Sequence, residues 1–311
     1  MSTEGGTKAV VAALSANLGI AVTKFAAFAL TGASSMLAEA IHSVADSGNQ
    51  VLLLVGGKRA RREATEEHPF GYARTRYYYA FLVAVVLFTV GGLFALYEAW
   101  HKWSHPEPIE AWKWVPIVVL LVALGLEGMS FRTAILESNK VRGQLGWARF
   151  IKRSRSPELP VILLEDFGAL IGLVFALFGV SMTLITHNGR WDALGAAMIG
   201  LLLCAIAVVL GRETKSMLLG ESATPEDIAA IRAALAAEGF ADVIHMRTVH
   251  NGPDDILVTA KVAQDPGTSL ADHAAQADRA EAAIRVAVPA VRLIFLEPDV
   301  RRTDAVDGSG A

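Results

Sequence analysis

Four polar side chains recur three or four residues apart in an apolar stretch of the amino-terminal third: Glu39, His42, Asp46 and Asn49. On an α-helix these positions share one face. The residues around them are mostly Leu, Val, Ile, Ala and Met. An imidazole nitrogen and a carboxylate one turn apart form half of a tetrahedral site for a borderline-soft divalent cation. The pattern therefore indicates metal chemistry on one face of a helix.

A second charged centre lies in a later apolar run, where Glu165 and Asp166 are adjacent. Neighbouring side chains on a helix point about 100° apart, so the two acids cannot share one direction. Glu127 stands between glycines in another apolar run, and Asn17 and Lys24 form a polar pair in the first. Charged groups inside a bilayer normally face a cavity, a partner or an ion. Two roles stay open for Glu127: a hydrogen-bonding partner in close helix packing, or part of an ion route.

The composition supports a membrane protein. Of the 311 residues 53% are hydrophobic, and the mean hydropathy is +0.41, which is high for a soluble globular chain. The net charge of −3, without a basic stripe interleaved with aromatic residues, gives no indication of a nucleic-acid partner. The single cysteine, Cys204, excludes a disulfide framework and a thiolate metal site.

Apolar runs of about 20 residues are typical of membrane helices. The sequence predicts six, at about 9–30, 36–56, 77–100, 114–136, 160–186 and 192–211. Basic residues cluster in the loops between the second and third runs and between the fourth and fifth. By the positive-inside rule these loops and both termini are cytoplasmic. We expect an inner or plasma membrane location.

The chain after residue 212 has the pattern of a small soluble domain. A helix beginning near Thr224, two alternating strands around Gly252, a second helix from about 269 to 288 and a strand at 291–296 give the order αββαβ. The predicted organisation is a six-helix transmembrane domain over 1–212, a cytoplasmic α+β domain over 213–300 and a disordered tail over 301–311.

Several of these motifs together resemble the cation diffusion facilitators, a family of proton-coupled exporters of divalent metals. The resemblance rests on Asn17 with Lys24 and on the runs 37–46, 68–71 and 163–166. It covers nearly the whole chain. Within the family the sequence is most similar to the branch that includes mitochondrial zinc transporter-like proteins, which share the Leu-Leu-Glu-Asp run at 163–166.

The resemblance implies a specific architecture and ligand set. The protein would be a homodimer of six-helix exchangers with a metallochaperone-like αββαβ domain. The transport site would use His42 and Asp46 from the second helix and Asp166 from the fifth.

One ligand of the usual four is absent, because Ile162 stands where most relatives have histidine or aspartate. Glu165, Glu39 or a water would then supply the fourth donor. For Glu165 the competing role is a proton-carrying or hydrogen-bonding group beside the site, paired with Lys24 or Asn17. We favour the ligand role, since three protein ligands would leave the coordination open.

A histidine nitrogen combined with carboxylates suits Zn²⁺ better than Mg²⁺ or Ca²⁺. Binding requires neutral His42 and ionised Asp46 and Asp166, so it releases protons. We therefore predict Zn²⁺ efflux by proton antiport with alternating access and no resident cofactor. An enzyme is not expected, because the sequence has neither a His-Glu-x-x-His run nor a nucleophile elbow.

Two alternatives stay open at this point. Three assigned ligands also suit transport of Mn²⁺, Fe²⁺ or Co²⁺. The missing ligand suits a family member that does not transport and acts as a membrane scaffold or regulator.

Overall fold

The computed structural model describes residues 3–31, 34–106 and 113–301, except for some side chains between residues 3 and 42. The side chains of Glu39 and His42 are among these exceptions, and the predicted tail beyond residue 301 also lies outside the described residues. The chain divides into two compact units, Met1–Lys215 and Ser216–Ala311.

The first unit is helical. Its elements are α1 (Thr3–Thr31), α2 (Ser34–Arg59), α3 (Thr75–Val86), a π-helical segment (Leu87–Leu93), α4 (Phe94–Ser104), α5 (Val115–Arg142), α6 (Trp147–Arg153), α7 (Glu158–Thr186) and α8 (Arg190–Leu219), the last of which ends in the second unit. Five of the six predicted apolar runs fall within these helices, and the fourth begins one residue before α5.

Four helical segments in the described part of the chain are long and apolar enough to cross a membrane: Thr75–Ser104, Val115–Arg142, Glu158–Thr186 and Arg190–Leu219. Large apolar side chains such as Ile185 and Leu201 are exposed on their outer surfaces, as expected for faces that contact lipid. Membrane crossing by α1 and α2 stays a prediction.

Helix α1 packs against α2 and α5, α2 packs against α3, and α5 packs against α7. Ile162 is buried with Leu159 and Leu203 in the main apolar cluster of this unit. The position that carries a ligand in most relatives is therefore part of the hydrophobic core here.

The third predicted run is not a uniform α-helix, because it widens into the π-helical segment Leu87–Leu93. Gly92 lies in this segment and faces α8 at close range. A Cβ added at Gly200 would lie 3.0 Å from the Gly92 carbonyl oxygen. The segment thus coincides with a backbone-to-backbone contact that hydropathy does not report.

Helices α7 and α8 also approach each other through glycine. A Cβ at Gly195 would lie 2.8 Å from the Phe175 carbonyl oxygen, and one at Gly179 would lie 2.9 Å from the Trp191 carbonyl oxygen. Both neighbours are backbone atoms, which cannot move aside as a flexible side chain can. Glycine at 179 and 195 thus lets the backbones of α7 and α8 come into direct contact.

We expect Gly195→Ala to lower the thermal unfolding temperature in detergent by at least about 2 °C, because the added methyl forces α7 and α8 apart. Gly125→Ala is the matched control, since a Cβ there meets no described atom within 4 Å. Equal unfolding temperatures for the two variants would contradict the contact.

The second unit contains α9 (Pro225–Ala237), β1 (Val243–Gly252), β2 (Asp255–Ala263), α10 (Leu270–Ala287) and β3 (Val291–Asp299). This is the predicted αββαβ order. The sheet order is β1-β2-β3, with β1 and β2 antiparallel and β2 and β3 parallel. The predicted inward face of β2 is buried against the helices, and it consists of Ile256, Val258, Ala260 and Val262. Thr224 caps α9 by accepting from the Asp227 backbone N–H.

Candidate metal centre

Glu165 on α7 accepts hydrogen bonds from side-chain amides of α2, one of which is bonded in turn to an amide of α1. Asn49 Nδ2 donates to its Oε1 at 2.6 Å, and Gln50 Nε2 donates to its Oε2 at 3.1 Å. Gln50 Oε1 in turn accepts from Asn17 Nδ2 at 3.2 Å. All four side chains are buried. Buried hydrogen bonds therefore connect α1, α2 and α7 at the level of Glu165.

Asp166 is bound to a different helix. Its Oδ2 accepts a hydrogen bond of 2.8 Å from Ser130 Oγ on α5, and only 2% of the residue is exposed. Glu165 thus contacts α2 while Asp166 contacts α5, as their angular offset of about 100° requires. Both acids point into the bundle.

A small cavity of about 20 Å³ lies in the same helical unit. It is lined by Asp46, Glu127, Lys24 and Ser43, together with apolar and glycine positions of α7 and α8. Lys24 Nζ donates to Ser43 Oγ at 3.0 Å. The cavity is large enough for about one water molecule.

The carboxylates are close enough to influence one another. Glu165 and Asp166 are adjacent on α7, and Asp46 and Glu127 line the same cavity. Like charges in an apolar interior are unfavourable unless cations offset them. Burial of these acids on α2, α5 and α7 is therefore unfavourable unless positive charge compensates them.

The predicted ligand set stays a prediction. Asp46, Asp166 and Glu165 are all buried in the first unit, but the side chains of His42 and Glu39 lie outside the described part. Within the described part, no three His, Cys, Asp or Glu side chains meet in a geometry that could hold a metal ion.

Three residues that hydrogen-bond to predicted site residues were missing from the sequence prediction: Gln50, Ser43 and Ser130. Ser43 and Gln50 are three residues before and four after Asp46, so helical spacing would have assigned both to its face. The expectation for Glu165 is also corrected in part. Its amide donors are Asn49 and Gln50, and Asn17 reaches it through Gln50.

Two partly buried ion pairs lie at the helix ends. Arg76 Nε and Glu158 Oε1 are 2.5 Å apart at the start of α3 and α7, and Lys102 Nζ and Asp192 Oδ2 are 2.8 Å apart at the end of α4 and the start of α8. Asp192 lies in the first turn of α8, where a negative charge is favourable, and it also has Lys102 as a specific partner.

The same region matches a known family model. The model described as "Cation efflux transmembrane domain" matches residues 10–219. This range includes every residue of the centre described above and the complete helical unit except its first turns.

Individual relatives are similar over most of this chain. A protein named mitochondrial proton-coupled zinc antiporter SLC30A9 from Xenopus laevis is 32% identical over 79% of this chain and 44% of its own length. The human protein of that name is 32% identical over 78% of this chain and 43% of its own length. Metal tolerance protein C4 of Arabidopsis thaliana is 27% identical over 76% of this chain and 52% of its own length.

The chain thus spans less than half the length of the two zinc antiporters. The family model covers more than half of the chain itself, and it coincides with the helices that bring the buried carboxylates together. On this evidence the chain belongs to the cation diffusion facilitator family of metal transporters.

Proposed function

We propose that this protein exports a divalent metal cation, Zn²⁺, across a membrane in exchange for protons. The observation that carries the proposal is the burial of four acids, Asp46, Glu127, Glu165 and Asp166, within one apolar helical bundle. Acidic side chains are rare inside membrane domains and mark ion pathways there.

The proposed ligands are His42, Asp46, Asp166 and Glu165. Each carboxylate oxygen of Glu165 accepts one amide hydrogen bond and retains a second lone pair. Asn49 and Gln50 therefore orient the carboxylate without excluding a metal. Such outer partners are typical of metal sites, where they fix the direction of a ligand.

Proton coupling follows from the chemistry of these donors. A metal binds the ionised carboxylates and the neutral imidazole, so it displaces protons from Asp46, Asp166 and His42. Protons that arrive from the other side would neutralise the same donors and release the metal. Alternating access of one site to the two sides then couples the two fluxes.

Zn²⁺ is the favoured substrate because the set combines a histidine nitrogen with carboxylates. The relatives from Xenopus laevis and human are named as proton-coupled zinc antiporters, and these names support the same choice. We also propose a homodimer with both termini in the cytoplasm, on the resemblance and on the distribution of basic loops. Mn²⁺, Fe²⁺ and Co²⁺ are the competing substrates.

A second function is favoured by one observation. The buried Ile162 removes a usual ligand and belongs to the apolar core, and this change suits a scaffold or regulator that does not transport. Transport assays distinguish the two functions directly.

The test is uptake into proteoliposomes that hold purified protein and a metal-sensitive dye, with an imposed pH gradient. We expect Zn²⁺ uptake that depends on the gradient and exceeds uptake of Mn²⁺ and Fe²⁺. Collapse of the gradient with an ionophore should abolish the stimulation. Absence of uptake of all three metals would contradict transport and support the scaffold function.

A further inference from the structure

Lys24 is a buried cation inside the helical unit that metal binding itself does not require. Only 4% of the residue is exposed. Its ammonium donates to Ser43 Oγ at 3.0 Å, three residues before Asp46 on α2. It also lines the cavity of about 20 Å³ that Asp46 and Glu127 line. A lysine charge and two acids therefore share a space about the size of one water molecule.

Burial of a charged lysine is unfavourable unless opposite charges compensate it. Two acids line the same cavity as Lys24: Asp46, which is a proposed metal ligand, and Glu127. The ammonium supplies one positive charge to this cavity, whereas an incoming divalent cation would add two. Lysine is a compact point charge on a flexible stem, so it can occupy such a cavity and also withdraw from it.

We propose that Lys24 is a built-in counter-cation of the transport site. In the empty site its ammonium balances the carboxylates, and an entering divalent cation must compete with it. Lys24 thereby lowers the affinity for the metal and assists its release. The inference rests on the proposed function, because it concerns the occupancy of the same site.

The test removes the charge of Lys24 in two ways. Lys24→Met keeps the length of the stem, and Lys24→Gln keeps a donor for Ser43. Both should bind Zn²⁺ at least about tenfold more tightly than wild type in an equilibrium titration against a competing chelator, because one repulsive charge is gone. The apparent KM and the maximal rate of Zn²⁺ uptake should fall together, since tighter binding slows release.

Lys24→Arg keeps the charge and should retain the wild-type affinity within about threefold. Lys102→Met is the matched control, because it removes a partly buried lysine charge whose partner is Asp192 at another helix end. It should leave the affinity for Zn²⁺ unchanged. A merely structural Lys24 would not produce tighter binding in either neutral variant.

Unchanged or weaker Zn²⁺ binding in a folded neutral variant overturns the proposal. If neither neutral variant folds, Glu127→Gln is added to each so that one negative charge is removed with the positive one. Recovery of folding in the double variants supports the charge balance, and its absence overturns it. Failure of wild type to bind or transport any metal would instead contradict the proposed function itself.

Discussion

Replacing Asp46 by asparagine is expected to reduce Zn²⁺ uptake into proteoliposomes by at least about 100-fold. The carboxylate is buried in the bundle and lines the cavity beside Lys24. An amide of the same size keeps the packing but removes the negative charge that, in the proposed exchange, binds the metal and the proton in turn. Loss of outer-shell partners alone costs about 10–100-fold in metal affinity, and loss of a ligand should cost more.

Asp192→Asn is the control for this variant. Asp192 is also an aspartate of the helical unit, but its partner is Lys102 at the end of α4. We expect uptake within about threefold of wild type, because a single partly exposed ion pair contributes little. Size-exclusion profiles of both variants should match wild type. Uptake by folded Asp46→Asn at the wild-type rate would rule out Asp46 as an essential ligand.

Glu165→Gln is expected to weaken Zn²⁺ binding by about 100-fold in an equilibrium titration. The change removes a negative charge from the proposed fourth ligand. It also replaces one of the two acceptor oxygens by an NH₂ group, which cannot accept the hydrogen bond from Asn49 Nδ2 or Gln50 Nε2 that ends there. Loss of charge and loss of orientation therefore act in the same direction.

Gln50→Met separates the two effects. It removes the hydrogen bond to Glu165 Oε2 and leaves the charge of Glu165 in place. We expect a loss of affinity of about tenfold, the range of an orienting partner. The ligand role requires the larger loss in Glu165→Gln. If Glu165→Gln binds Zn²⁺ as tightly as wild type, Glu165 is a structural hydrogen-bonding group and the fourth ligand lies elsewhere.

The local features of this protein were predictable from the sequence. Apolar runs placed the helices, because a membrane helix must satisfy its backbone internally and present apolar side chains to lipid. Alternation in β2 and the cap at Thr224 identified the αββαβ order, since both signals act within a few residues. Spacing also assigned Asp46 to a polar face and separated Glu165 from Asp166 by about 100°.

The partners of these side chains depended on the tertiary structure. Glu165 binds Asn49, which is 116 residues away, and Asp166 binds Ser130 on α5. Such pairs follow from the rotation and depth of each helix relative to its neighbours. Close contacts such as the one at Gly195 set that rotation and depth. They depend on how the surfaces of both helices fit each other, which the sequence of one helix does not give.

The environment of Lys24 shows the same division. The sequence identified a lysine in an apolar helix, and the cost of its burial implied a polar partner. Only the packing of α1 against α2 and α5 placed its ammonium beside Ser43, and Lys24 along the cavity that Asp46 and Glu127 also line. Hydropathy determines that a charge lies inside a bundle, whereas the fit of the helices decides which opposite charges it meets.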